Sequence, residues 1–438
     1  NTPIGRDIKE IIGRDFIFDV EITPNLAYCL SHYAVARELS IFFGYTLIEP
    51  ELMDTGSFKN KSDFLITIDT DNCNRYAGIV VKNIKNKTTP AFISERLKKI
   101  GLNPKNNILI DLSNYVMFDI GQPTHFFDLY KVDRIVVRQA KDGERIKALD
   151  GSEYKLNSDI MVIANSREAV AVAGVIGGEL SSISSDTTDI LIEIANFRPS
   201  SVRISSKKLN IKTDSSYRFE RGVDYNLVEK TAKRILYFLK NTNPECDVVC
   251  IKDVKRTDFK PTKIDVDHKK IEDILGISVD TEKLKNLLTK MDPAFNGKIF
   301  TVPSYRYDIE SIWDISEEYL RYVGYDMISS NTSMRCDKAK DDPYVMLEDR
   351  ISKRLSVFSF NECYTYDLVS SKEITGCGID VSNCIKVVNP VSADFEYLRP
   401  SGVISMLKVL RHNVNRDVRS VKIYEFGKVF LKQGLNHI

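Results

Sequence analysis

No run of eighteen apolar residues occurs in this chain, so a helical membrane span is not expected, and no secretory leader is recognised in it. Charge of one sign is not in excess either. Sixty-two Lys and Arg against 61 Asp and Glu leave a net charge of +1, so no global basic field demands nucleic acid, although a local patch is compatible with it. The eight cysteines have no metal-binding rhythm: Cys246 and Cys250 stand close, but no second pair and no His couplet completes a zinc set. Reduced thiols of a cytoplasmic protein are expected. A GxGxxG loop, a serine nucleophile elbow, internal repeats and low-complexity tracts are all missing. What is present is the composition of a globular protein, 438 residues with 43% apolar, a length that suggests roughly three domains. The start at Asn1 and the stop at Ile438, just after a strand-like run, suggest part of a longer polypeptide.

In chain order, FIFDVEI (16–22) alternates like a half-buried strand, and Thr23-Pro24 opens a helix that Gly44 ends. His32 sits in that helix with no partner spaced to share a ligand. A helix over 94–100 stops at Gly101, and DRIVVRQA and DIMVIA flank a turn at Asp150-Gly151. The run 227–240 is an amphipathic helix, and the Asn-Thr-Asn-Pro after it marks a boundary. Strand, helix, helix, strand and helix are expected over 258–330. A polar linker (329–343) leads to a helix over 344–360, strands at 363–369 and 385–388, and a segment with Arg399, Lys408, Arg411, His412 and Arg416 on or near one helix. A solvated basic face is the plain reading of that last set.

Four stretches carry residues that patterning does not explain. In NYVMFDIGQPTHFFD (114–128) an apolar run, 115–118, breaks at Gly-Gln-Pro, and Pro123 holds His125 on a defined turn; the plain alternative is a histidine closing a strand. The run AVAVAGVIGGE has three glycines, as a backbone packed closely against something would. ILIEIANF (190–197) is apolar on both faces, as a strand buried on both sides would be, yet Glu193 interrupts it; a buried carboxylate needs a partner or a polar ligand. Asp308, Asp314, Glu317 and Glu318 cluster in PSYRYDIESIWDISEEYLRYVGYD. Asp314 as N-cap with Glu317 three residues on is a capping box, and an oxygen-ligand Mg²⁺ site is the functional reading.

Taken together, TPNLAYCLSHYAVAREL, NNILIDLSNYVMFDIGQPTHFFDL, AVAGVIGGE with LIEIANF, TDSSYRFERGVD and the Asp/Glu-rich segment resemble, in this order, the β subunit of bacterial-type phenylalanyl-tRNA synthetase. NPVSADFEYLRPSG with VKIYEFGKVF is a weaker sixth match. The resemblance implies an α+β multidomain chain. It would comprise an N-terminal remnant (1–46), an editing domain of mixed strands and helices (47–225), a linker helix region (226–257), a small helix-strand domain with the carboxylate site (258–330), and an incomplete, inactive class II synthetase-like antiparallel-sheet domain (331–438).

The resemblance further implies a subunit of phenylalanine–tRNA ligase. An α subunit, partnered in an (αβ)₂ tetramer, charges tRNA(Phe) using ATP, and the β chain hydrolyses mischarged tyrosine. It assigns Asn114, His125, Gly174, Glu193 and Thr213 to the editing pocket together with Ser215, and Mg²⁺ to Asp308, Asp314, Glu317 and Glu318. Ser215 and Phe126 depart from the alanines usual in the family, adding a hydroxyl to the pocket and bulk beside His125. Two other functions stay open: a free-standing hydrolase of misacylated tRNA, and a non-catalytic RNA-binding scaffold.

Overall fold

The computed structural model describes residues 16–56, 58, 60–329 and 342–432. The chain forms two compact units, Asn1–Ser330 and Asn331–Ile438, where length alone suggested three. In the first, residues 16–23 have no regular structure and Phe16, Ile17, Phe18 and Val20 are exposed. The strand expected at 16–22 is absent because, among the described residues, no strand pairs with it and no core covers it. Pro24–Cys29 forms a 3₁₀ turn. Helix α1 (His32–Phe43) follows, capped not by Thr23 but by Ser31, whose Oγ accepts from Ala34 N at 3.2 Å. Gly44, at φ 72°, ends it.

Strands β1 (Ile66–Ile68) and β2 (Cys73–Lys82) precede helices α2 (Ala91–Lys99) and α3 (Ile108–Ile120). The apolar run 115–118 lies inside α3, where Leu109, Leu112, Val116 and Ile120 share the buried face at helical spacing. Gly121, at φ 94°, stops the helix, and Pro123 sends the chain into β3 (Thr124–Asp128). His125 is therefore on a strand, where ladder hydrogen bonds fix it, and not on a turn. Strands β4 (Ile135–Gln139), β5 (Arg145–Lys147), β6 (Glu153–Lys155), β7 (Met161–Ala164), β8 (Ala169–Val172), β9 (Ile176–Gly177) and β10 (Ile190–Phe197) come next. Helices α4 (Pro199–Leu209), α5 (Asp214–Phe219) and α6 (Leu227–Thr242) and strand β11 (Asp247–Lys255) complete this part.

Two large sheets result, β11-β2-β10-β3, all antiparallel, and β1-β4-β7-β8-β9, while β5 and β6 pair as a separate antiparallel ladder. The four-stranded sheet lies between two cores. Tyr76, Val80, Phe127, Leu191 and Ala195 pack toward Ile135, Val137, Ile163 and Ala171 of the five-stranded sheet. Ile79, Val81, Phe126, Ile190, Ile192 and Ile194 pack toward α3 and α6. All eight residues of β10 are buried for that reason, each large apolar one worth about 1.5–3 kcal/mol. The 226–257 region is no linker: α6 buries Val228, Ile235, Leu236 and Leu239 in the second core, and β11 is the edge strand paired with β2. The amphipathic stripe of α6 has its partner inside the same layer.

The remainder of the first unit is β12 (Lys263–Asp265), α7 (His268–Leu275), α8 (Thr281–Met291), β13 (Ile299–Thr301) and α9 (Ile312–Val323), packed around Ile271, Leu284, Leu288, Phe300, Ile315 and Tyr319. In the second unit, α10 (Pro343–Val357) buries no residue. Strands β14 (Asn361–Glu362) and β15 (Leu368–Val369), helix α11 (Ser371–Gly376), β16 (Tyr397–Leu398), α12 (Gly402–Val414) and β17 (Ile423–Tyr424) follow. The strand expected at 385–388 is reduced to one bridge between Lys386 and Tyr397. The ladders are two residues long, β14 with β17 parallel and β15 with β16 antiparallel. The antiparallel sheet expected over 331–438 is thus not developed among the described residues, whose core is Val369, Ile374, Cys384 and Ile404. Most of the 329–343 linker lies outside the described residues. Among them the seven cysteines are free, and no helix is long and apolar enough to cross a membrane.

Candidate functional site

The strand alternation that buries Leu191 and Ala195 between the two sheets puts Glu193 there too. Directly across the ladder stand Gly78 on β2 and His125 on β3. At Gly78 an added Cβ would lie 2.5 Å from Ile66 Cδ1, so the polar partner comes from the diagonal position instead: Tyr76 Oη donates to Glu193 Oε2 at 2.8 Å. Glu193 is 7% exposed. Burial pushes its carboxyl up to about 7, against which the Tyr76 hydrogen bond pulls down. Burial likewise lowers the His125 imidazole to about 4, so the ring is neutral at physiological pH. His125 Nε2 is buried with no hydrogen-bond partner, and its ring meets Phe127 edge-on, centroids 4.5 Å apart.

A cavity of about 90 Å³ opens between the sheets, walled by His125, Glu193, Gly174, Gly177, Ser215 and Phe219 among others. The glycine-rich run is packed against named neighbours. A Cβ at Gly177 would sit 2.4 Å from His125 Cε1, and one at Gly178 2.5 Å from Val170 O. Gly174 turns at φ +70° against Phe197, Phe219 and Val202. Gln122, fully buried, ties the entry to β3 onto β10 by donating from Nε2 to Ala195 O at 2.9 Å. Sequence reasoning missed Tyr76, Gln122 and Gly177 as site residues. The clustered glycines were the signal for the last; for the first two only the sheet register supplies one.

Of the residues assigned by resemblance, His125, Gly174, Glu193 and Ser215 meet at this cavity. Asn114, half-buried on α3, and Thr213 are not among its walls. Thr213 caps α5, accepting from Ser216 N at 3.0 Å, and its hydroxyl donates to Val175 O at 2.8 Å, fastening α5 to the glycine-rich turn. The Ser215 hydroxyl is tied to the wall, donating to Gly174 O at 3.2 Å. Phe126 adds no bulk to the pocket: neighbours on a strand face opposite ways, and its ring is buried in the helix-side core.

The four carboxylates do not converge. Arg306, 1% exposed, clamps Asp308 by Nε–Oδ1 and Nη2–Oδ2 bonds of 2.9 and 2.7 Å, and donates to Glu318 Oε2 at 2.9 Å. Arg321 donates to Glu318 Oε1 at 2.6 Å. Burial pushes the Glu318 carboxyl up, but Arg306 and Arg321 overcome it and hold it below the usual range. The N-cap of α9 is Ser311 and not Asp314. Asp314 is the N3 residue of the capping box, its Oδ2 accepting from Ser311 N at 2.8 Å and Glu310 N at 3.0 Å. Glu317 is exposed while Glu318 is buried. Among the described residues no group of three or more potential ligands could hold a metal. In this arrangement the set does not fit a divalent cation: the arginines already engage Asp308 and Glu318, Asp314 is used by the helix cap, and Glu317 faces solvent.

Of the basic set, only Arg399, which precedes α12, is buried, against Glu425 and Asp367. Lys408, Arg411, His412 and Arg416 are exposed on or just after α12, as a solvated basic face would be, Lys408 pairing with Glu373 and Arg416 bonding His412. His32 Nδ1 lies 3.0 Å from Phe118 O, a structural contact.

Three family models match the chain in succession: the B3/4 domain over residues 72–243, the tRNA synthetase B5 domain over 264–325, and the phenylalanyl tRNA synthetase beta chain CLM domain over 330–437. The phenylalanine–tRNA ligase beta subunit of Clostridium acetobutylicum is 32% identical over 98% of this chain and 56% of that protein. That of Aquifex aeolicus is 36% identical over 98% and 55%. That of Carboxydothermus hydrogenoformans is 33% identical over 99% and 56%. The chain thus spans little more than half the length of these relatives. An N-terminal fragment of the phenylalanyl-tRNA synthetase beta-subunit from Pyrococcus horikoshii is similar in structure at a TM-score of 0.35 and 16% identity, covering 69% of this chain and 85% of that one.

Proposed function

Because the chain belongs to the phenylalanine–tRNA ligase β-subunit family, we propose that it works as the β part of such a ligase and hydrolyses tyrosine wrongly esterified to tRNA(Phe). The observation that carries the reading is Glu193, a carboxyl buried in a cavity wall beside a neutral histidine whose Nε2 lacks a partner. A tyrosyl para-hydroxyl entering the cavity gives Glu193 a hydrogen bond; a phenylalanyl ring buries the acid without one, the asymmetry by which a polar site rejects an analogue lacking a hydroxyl. Water adds to the ester carbonyl, the bond to the ribose oxygen breaks, and that oxygen leaves with a proton. His125 Nε2 orients the water and can take its proton. Thr213 serves by holding α5 and the glycine-rich turn together.

ATP-dependent charging is assigned to a partner α subunit in an (αβ)₂ assembly in the cytoplasm. The exposed Val345, Leu347 and Ile351 of α10 support a protein partner for the second unit. Mg²⁺ is left with the partner's chemistry, since these carboxylates do not fit it. A free-standing trans-editing hydrolase or an RNA-binding scaffold has no specific observation in its favour.

The test is deacylation of tyrosyl-tRNA(Phe) by the chain assembled with its α partner. Hydrolysis above background, with tyrosine preferred over phenylalanine and the preference abolished in Glu193→Ala, is expected. Background hydrolysis alone would refute the editing reading, and failure to co-purify with an α chain would refute the subunit reading.

A further inference from the structure

Tyr76 is fully buried, at the β2 position opposite Ala195 and one diagonal step from Glu193. A buried phenol needs a partner for its O–H, and the partner here is the carboxyl that reads the substrate in the proposed function. We propose that Tyr76 is a positioning residue for the cavity, holding the Glu193 carboxyl in one orientation and in its acceptor state, so that an incoming hydroxyl meets a preset acceptor. The inference rests on the hydrolytic reading above.

The groups that face Glu193 make this assignment specific. From β2 come Tyr76 and Cys73, whose hydroxyl and thiol are held neutral by burial. From β3 comes His125, held neutral by burial as well. From α5 comes Ser215, committed to Gly174 O. No cation stands among them, so nothing but the Tyr76 O–H opposes the protonation that burial favours. The orientation follows from the same bond. With Ile66 filling the space at Gly78, the carboxyl is anchored through Oε2 from one side only, and a site built on a single preset acceptor loses discrimination when that acceptor rotates or takes a proton.

Tyr76→Phe keeps the ring and removes the hydroxyl. In the assembled enzyme it is expected to lower the tyrosine-over-phenylalanine preference at pH 7 about tenfold, with most of it regained near pH 9, because the acid limb of the profile moves up. In a Glu193→Gln background the same change should leave the pH profile flat. An unchanged preference together with an unmoved acid limb in Tyr76→Phe overturns the inference. Should wild-type protein show no hydrolysis at all, the proposed function falls, and Tyr76 is then judged by a readout without activity. That readout is the ¹³C carboxyl resonance of Glu193, assigned through Glu193→Gln. Its titration midpoint must rise in Tyr76→Phe, and a midpoint that stays put overturns the inference. If Tyr76→Phe folds poorly, 3-fluorotyrosine placed at position 76, a stronger donor, must lower the same midpoint, and a midpoint that does not fall overturns it equally.

Discussion

His125 and Glu193 occupy facing positions on neighbouring antiparallel strands, both aimed into the space between the two sheets. Burial acts on them in opposite senses, lowering the imidazole to about 4 and raising the carboxyl to about 7. Each is therefore held toward its neutral form, which is how an acid and a base can share a low-dielectric wall without forming an ion pair. Their effects on stability run in opposite directions with pH.

For Glu193 the folded value lies above the ordinary 4.5. Its contribution is complete below about pH 4.5 and is lost as pH rises through about 7, by up to about 3 kcal/mol. Glu193→Gln is expected to match wild type in urea midpoint near pH 5 and to exceed it near pH 8.5. An equal deficit at both pH values would contradict the assignment.

For His125 the folded value lies below the ordinary 6.5. Stability is complete above about pH 6.5 and is lost as pH falls toward about 4, again by up to about 3 kcal/mol. His125→Gln should shallow this acid loss in thermal unfolding scans between those limits. The wild-type curve understates both effects where the two windows overlap, so the single variants are the informative measurement.

Gly177 and Gly174 separate space from backbone strain. Gly177 has no positive φ, and an added Cβ meets His125 Cε1 at 2.4 Å. Gly177→Ala should displace the imidazole, abolishing most deacylation for a stability loss of about 1–3 kcal/mol. Gly174 sits at φ +70° with three neighbours at 3.1 Å. Gly174→Ala should cost stability by both routes and move the melting temperature further than Gly177→Ala does. The reverse ranking in calorimetry would show the turn to be relaxed.

Arg306 is the more buried of the two arginines in the carboxylate cluster. Arg306→Ala leaves the half-buried Asp308 without its clamp and the buried Glu318 with Arg321 alone, and should cost about 3 kcal/mol, read as a lowered urea midpoint. Chelator should leave the wild-type chain's melting temperature unchanged. A drop on adding chelator, reversed by Mg²⁺, would mean that a divalent ion displaces the guanidinium.

The linear sequence determined whatever depends on neighbours within a few residues. The double-sided apolar run 190–197 announced a strand buried on both faces, and the oddness of Glu193 within it was visible before any coordinates. The glycines of 174–178 announced a backbone approached closely, and helix α6 followed from its amphipathic stripe and the break after it. Motif order was legible as well, because short ordered matches accumulate specificity that no single one has.

Tertiary structure alone decided the remainder. The strand at 16–22 fails because alternation makes a strand only when another edge accepts it. The region 226–257 joins the first sheet because β11 finds the free edge of β2, a pairing across more than 160 residues that no local pattern encodes. The acids of 308–318 were legible as charges but not as partners: Arg306 stands two residues from Asp308 in sequence and reaches Glu318 only because the loop folds back over α9. Nothing in the sequence around Tyr76 marks it out. The antiparallel register, which sets it diagonally from Glu193, made it part of the site, since a hydrogen bond of 2.8 Å depends on where two distant strands come to rest.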